Sequence, residues 1–343
     1  MPHFTLRIVG LILFAHHLLA SEISDDAAKR LGQMAKETIS ALALGYKECC
    51  NPNIDQTQAL SITWVTNSSP KSVRRIKNGA FAGLIGRAHS RASAKELSDV
   101  LDFATWLFIY DDNVEKKDNR KEIETCHVQT MAIVDGSPID EIDDTLSLGF
   151  RNIIERIHRN PHASQLWKAR FRRDIEDYCK ATLWELENRK QNQVPSLREY
   201  RENRPNTSGT KIMFDFIELI EGITIPQEIF DSEYFKRIRL LGANLVNWEN
   251  DILSAPKEFS ENQNHNLVFV HKTASDLSDQ EAFQQASQDL SNDFEAFMRL
   301  SREIPASFGA HITVVEKYIK GIIEWAAAHH FWAITSRRYT SYW

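Results

Sequence analysis

The side chains best placed to do chemistry gather first at Asp111, Asp112 and Glu115, directly after the apolar run Trp106-Leu107-Phe108-Ile109-Tyr110. Asp111 and Glu115 are four residues apart, so on a helix they share a face one turn apart. Asp112 lies about 100° around from Asp111 and need not share that face. Carboxylates emerging from an apolar run are costly unless exposed, paired or metal-bound. Mg²⁺ prefers carboxylate oxygens, waters and substrate phosphates to a closed protein cage, and two or three carboxylates on one turn suit it. The plain alternative is a solvated helix end with Lys116 and Lys117 as surface partners. Asp25-Asp26 and Asp143-Asp144 lack both the aromatic run and a Glu at the right step, and read as surface acids.

A second group follows at Asn250, Ser254 and Glu258, spaced four and four. On a helix they form one polar stripe whose amide, hydroxyl and carboxylate each offer an oxygen ligand. Such a hard-cation site of low charge leaves room for phosphate oxygens. Pro256 removes a backbone donor inside the stripe, which predicts a kink near Ser254 or a helix end there. An exposed polar face is the rival reading. Candidate anion-binding cations are Lys257, Arg204 (near a break signalled by Pro205 and Gly209) and Arg338, which precedes Tyr339. A guanidinium offers a fork of donors matched to phosphate oxygens. His329-His330 read as structural or solvent-facing, because no further ligands are spaced with them.

Helices must position these groups. Apolar residues Leu97, Val100, Leu101, Ala104, Leu107 and Phe108 recur at steps of three and four and predict a helix that runs into Asp111. Residues 21–50 read as helix, 51–95 as mixed with a turn at Asn67–Pro70, and 118–144 as a polar connection. Helical patterns resume over 145–160, 163–190, 210–221, 232–254, 279–302 and 308–335, separated by Pro161, Pro195, Pro226 and Pro305. No alternating strand pattern is convincing. The expectation is an all-α bundle of ten or so helices, in a single domain over 21–343.

Composition bounds the rest. With 42% hydrophobic and 26% charged residues the balance is globular, not disordered. A net charge of −6 argues against nucleic acid as a partner, so an anionic substrate needs local cations or metal. The four cysteines show no metal spacing and read as free or buried thiols. Residues 1–20, with Arg7 ahead of Ile8–Ala15 and Ala20-Ser21 at the end, resemble a secretory signal peptide. An N-terminal helix packed on the domain is the other reading, so the compartment stands between the secretory pathway and the cytoplasm.

Taken in order, four segments resemble class I terpene synthases of the microbial type. They are Asp111-Asp112-x-x-Glu115, Pro195-Ser196-x-x-Glu199-Tyr200-x-x-x-Arg204-x-x-Thr207-x-Gly209, Asn250-Asp251-x-x-Ser254-x-x-Lys257-Glu258, and Arg338-Tyr339, with Asn264-x-Asn266-Leu267-Val268 after the third. The resemblance spans roughly residues 80–340. It implies a class I terpenoid synthase helical bundle around a central cavity, and ionisation and cyclisation of a linear prenyl diphosphate: farnesyl diphosphate first, geranylgeranyl diphosphate as the alternative.

The resemblance further implies that Asp111, Asp112 and Glu115 face Asn250, Ser254 and Glu258 across the mouth and hold three Mg²⁺, with Mn²⁺ as a substitute. Arg204 senses the diphosphate, with Thr207 and Ser208 beside the helix break. Lys257, Arg338 and Tyr339 bond the diphosphate, and Phe108, Trp332 and Phe81 line the pocket. Arg204, Asp111 and Asn250 carry the catalytic weight. No protein base is implied, because the diphosphate can take the final proton. Monomer and homodimer both fit, and no obligate protein partner is evident.

Two rivals share the scaffold. A chain-elongating prenyl synthase would carry a second Asp-rich motif where Asn250, Ser254 and Glu258 stand. A non-catalytic isoprenoid binder would not need the ligands and arginines. The glycosylation sequons at Asn67 and Asn206 conflict with secretion, since a glycan on Asn206 would sit beside Arg204.

Overall fold

The computed structural model describes residues 25–42, 44–137 and 144–343. The signal-like segment 1–20, together with Pro138 and Asp143, lies outside the described residues. Among the described residues the regular structure is helical throughout, as expected. The order is α1 (25–41), α2 (Ile54–Ser68), α3 (Val73–Gly79), α4 (Phe81–Ala88), α5 (Ala94–Glu115), α6 (Arg120–Val134), α7 (Thr145–His158) and α8 (Gln165–Lys190). Then come α9 (Leu197–Thr207), α10 (Thr210–Glu221), α11 (Gln227–Phe230), α12 (Glu233–Ser260), α13 (Leu267–Ser275), α14 (Asp279–Leu300), α15 (Ile312–Ala333) and α16 (Arg337–Thr340). No described helix is long and apolar enough to cross a membrane.

Local sequence explains where the site-bearing helices begin. Ser93/Glu96, Ser196/Glu199 and Ser278/Glu281 form reciprocal capping boxes that start α5, α9 and α14. Each satisfies backbone donors that the first turn would leave orphaned. α5 is buried along most of its length, packed by α2, α4 and α7, and its C-terminal half, from Ala104 to the acidic end, faces a cavity. α12 runs through the interior against α9, α10, α13, α14 and α15. Below the cavity an aromatic cluster fixes these walls: Trp106 stacks on Phe150 with centroids 3.5 Å apart, and Phe103 packs on Phe171 and Phe216. Burying each such ring contributes about 1.5–3 kcal/mol.

The structure corrects several boundaries. α1 stops at residue 41, and the stretch from 44 to 50 is irregular, with Gly45 at φ +64°. The supposed polar connection over 118–144 contains α6, whose buried stripe includes His127 and Thr130 and so reads as polar. α12 continues through Pro256 to Ser260, because packing on several neighbours outweighs one missing backbone bond. Asn250, Ser254 and Glu258 therefore do lie on one helix. Asp144 is a cap that accepts from Ser147 N at 2.8 Å, and all four cysteines are free thiols.

The α9–α10 break is real. Gly209 has φ +67°, and a Cβ there would meet Leu107 Cδ2 at 2.8 Å. Gly209→Ala is expected to cost about 1–2 kcal/mol for the left-handed backbone and to push Leu107, a cavity residue. Urea unfolding of the variant checks this, and an unchanged midpoint would contradict it.

A second expectation concerns acid. Burial, then Arg91, pushes the His89 imidazole down to about 3. The folded state keeps it neutral while the unfolded chain protonates below its ordinary value. Stability is therefore full above about pH 6.5, falls as pH drops and levels off near pH 3, with a loss of about 2 kcal/mol at pH 5. His89→Gln should remove that increment from the difference between urea midpoints at pH 7 and pH 5. An identical difference in the variant would contradict it.

Candidate active site

α4, α5, α8, α9, α10, α12, α15 and α16 enclose one cavity of about 200 Å³ that opens at one end. At the mouth Asp111, Asp112 and Glu115 offer ligand atoms all within 4.8 Å of one another. Burial, then the neighbouring Asp111 charge, pushes the Glu115 carboxyl up to about 8. Burial likewise raises Asp111, against the hydrogen bond it accepts from Tyr178 Oη at 2.7 Å. Carboxylates crowded until they resist ionisation fit a site completed by cations. Asp112 differs from the other two: it is 7% exposed and paired with Arg75 of α3.

Across the cavity, Asn250 Oδ1 accepts from Arg204 Nη2 at 2.9 Å, and its Nδ2 donates to Tyr339 Oη at 2.8 Å. Glu258 Oε2 accepts from Asn266 Nδ2 at 2.7 Å. Ser254 sits in the stripe but is 2% exposed, and its hydroxyl lies 3.4 Å from the same Asn266 amide, one layer behind the lining. Arg204 grips Asp251 Oδ1 with Nε at 2.9 Å and Nη2 at 2.7 Å, and its Nη1 lies 3.4 Å from Thr207 Oγ1. Burial opposes the Arg204 charge, but Asp251 and Tyr200 outweigh it and raise its pKa further. Lys257 pairs with Glu261 at 2.8 Å. Arg338 lines the cavity, and its buried Nε has no partner among the described residues.

The structure thus brings Asp111, Asp112, Glu115, Arg204, Thr207, Ser208, Asn250, Lys257, Glu258, Arg338, Tyr339, Phe108 and Trp332 to one cavity. Phe81 is the other exception beside Ser254. It is 2% exposed and stacks behind Phe108, centroids 3.8 Å apart, so it supports the wall without forming it. Asn206 lies inside α9 with a buried, unpartnered Oδ1.

Sequence reasoning missed one wall entirely. Tyr178, Glu185 and Arg189 of α8 face the cavity at steps of seven and four, a helical spacing that could have revealed them. Burial, then Asp111, pushes Glu185 up to about 7. His265 and Gln263 close the side after α12. Burial, then Arg189 and Arg204, drives His265 down to about 4 and keeps it neutral. Of the two readings of His329 and His330 the structural one holds, since both bond the buried Glu249, and His329 also lines the cavity.

Comparison with known proteins agrees with this arrangement. Residues 102–295 match the model of terpene synthase family 2, C-terminal metal binding. A (+)-T-muurolol synthase, (2E,6E)-farnesyl diphosphate cyclizing, of Roseiflexus castenholzii is 27% identical over 89% of this chain and 95% of its own. A 4-epi-cubebol synthase, also named as farnesyl diphosphate cyclizing, of Streptosporangium roseum is 28% identical over 85% of this chain and 89% of its own. The crystal structure of linalool/nerolidol synthase from Streptomyces clavuligerus superposes with a TM-score of 0.76 at 20% identity, covering 84% of this chain and 98% of that one. With more than half of the chain matched and an acidic cluster at the cavity mouth, the protein belongs to terpene synthase family 2 and is a class I, divalent-metal terpene synthase acting on a prenyl diphosphate.

Proposed function

We propose that the protein ionises farnesyl diphosphate and cyclises the resulting cation to a sesquiterpene hydrocarbon or alcohol. The observation that carries this is the single cavity with acids on one lip, Asn250 and Glu258 on the other, and arginines between them. Two relatives whose names specify farnesyl diphosphate support the chain length.

Three Mg²⁺, replaceable by Mn²⁺, would be held by Asp111 and Glu115 on α5 and by Asn250 and Glu258 on α12; Asp112, paired with Arg75, and Ser254, one layer behind the lining, would join them on release from their present partners. When bound, they would neutralise the charge that accumulates on the departing diphosphate. Arg338, Lys257, Tyr339 and Arg204 bind and orient that diphosphate, with donors set in place beforehand. Arg204 also couples ligand binding to the α12 lip, because a ligand drawing its Nη2 away would free Asn250 Oδ1. Deeper in, Phe108, Trp325 and Trp332 exclude water and present aromatic faces to the cation, worth about 2 kcal/mol or more each when desolvated.

Presenting geranyl, farnesyl and geranylgeranyl diphosphates separately, with Mg²⁺, Mn²⁺ or a chelator, tests this. Cyclic product from the farnesyl substrate with either metal and none with chelator is expected. Turnover of the geranylgeranyl substrate alone would reassign chain length, and chain growth on added isopentenyl diphosphate would favour an elongating synthase. The protein is also proposed to work without an obligate protein partner.

A further inference from the structure

His329 stands on α15 between the cavity and a buried carboxylate. Its Nδ1 lies 2.9 Å from Glu249 Oε2, and Glu249 is 1% exposed. The other carboxylate oxygen, Oε1, lies 2.6 Å from His330 Nδ1. An ionised carboxylate only accepts, so His329 Nδ1 carries a proton, which in the neutral ring leaves the lone pair on Nε2. That Nε2 is buried, has no partner among the described residues, and belongs to a residue lining the cavity. Leaving such a group unsatisfied is costly, so a ligand-facing purpose is the economical account.

Besides Arg338 Nε, two further atoms of cavity-wall residues share that condition. Trp325 Nε1 lies one helical turn before His329, and Asn247 projects from α12 with its Oδ1 occupied by Thr210 Oγ1 at 3.1 Å and its Nδ2 unpartnered. Both are donors, unlike His329 Nε2. Besides the carboxylates and His265 that also line the cavity, the wall thus offers at His329 an imidazole that is oriented from behind by a buried carboxylate and stands beside the aromatic rings of Trp325 and Trp332.

We infer that His329 Nε2 is the proton acceptor that ends the reaction, taking over a task the diphosphate could perform elsewhere. This rests on the terpene synthase reading. In the alkene route a C–H bond beside the cationic carbon breaks, its electron pair becomes the new C=C bond, and the proton forms an N–H bond at Nε2. In the alcohol route a water oxygen forms the C–O bond, an O–H bond breaks, and that proton goes to Nε2; the Trp325 and Asn247 donors would hold such a water. Glu249 balances the imidazolium in both routes, and the proton leaves to solvent after product release.

The test compares wild type, His329→Gln and His330→Gln with Mg²⁺ and farnesyl diphosphate in heavy-oxygen water, reading diphosphate release and product profile. His330 shares the carboxylate without lining the cavity, so it controls for a merely structural effect. In His329→Gln the main product formed per diphosphate released is expected to fall about tenfold or more; His330→Gln should keep the wild-type ratio and profile. Heavy oxygen in the wild-type product assigns the proton to water, and its absence assigns it to carbon. Should His329→Gln not fold, His329→Leu carries the same expectation. An unchanged profile in the folded His329 variant, or an equal change in both histidine variants, overturns the proposal. Wild type that makes no terpene would sink the underlying function as well, which sets the two failures apart.

Discussion

Asn250→Ala is expected to lower kcat/KM for diphosphate release by about 10³-fold or more, the scale for losing a preorganised electrostatic group at a developing charge. The residue does three things at once. It receives Arg204 Nη2 on Oδ1, steadies Tyr339 through Nδ2, and in the proposed mechanism offers that same Oδ1 as a metal ligand. Truncation removes all three, while the helix around it, buried on its other faces, should stay folded. Asn250→Asp keeps the oxygen but loses the amide donor, so it should fall between wild type and alanine. Single-turnover diphosphate release for the three proteins checks the order. An alanine variant within about tenfold of wild type would remove the α12 stripe from the mechanism.

Asp251→Ala is expected to cost about 3–5 kcal/mol of folding stability, as breaking one side of a buried ion pair does. Asp251 is fully buried and accepts from Tyr200 Oη at 2.6 Å, from Arg204 Nε and Nη2, and from the backbone N–H of Leu267 at 3.1 Å. One carboxylate thus ties α9, α12 and the start of α13 together. Removal leaves a guanidinium, a phenol and an amide without their shared acceptor. Urea unfolding followed by circular dichroism reads the loss, and a midpoint equal to wild type would show that Arg204 is held by something else.

These two neighbours mark where sequence reasoning succeeds and stops. Asn250 was readable because a step of four places it with Ser254 and Glu258 whatever the rest of the fold does. The same period gives no rotational phase, so it could not show that Ser254 lies behind the lining or that Phe81 sits behind Phe108. Asp251 was unreadable as a hub, because its partners Tyr200 and Arg204 lie 51 and 47 residues away and the pairing exists only in the folded chain. The pairing of Asp112 with Arg75 was hidden in the same way. α6 was hidden by its own composition, since buried His127 is satisfied at 3.0 Å by the Thr182 hydroxyl and needs no apolar neighbour to justify burial. Trp325, His329 and Trp332 recur at steps of four and three along α15, a stripe that places the histidine among cavity aromatics. Reading that stripe would have separated His329 from its neighbour His330.

The helical bundle itself was the easiest part to foresee. Its caps are short local signals, Ser-x-x-Glu ahead of apolar repeats, and they act within a few residues. The cavity is different, because eight helices contribute to it and each contribution depends on the others' positions.

The most direct test of the central claim is incubation of the wild-type protein with Mg²⁺ and farnesyl diphosphate, followed by gas chromatography–mass spectrometry of the organic extract and assay of released diphosphate. A cyclic fifteen-carbon terpene formed in step with diphosphate, and lost on chelation, is the predicted result. Diphosphate release with only linear alcohols, or no turnover of the farnesyl substrate at all, would contradict it.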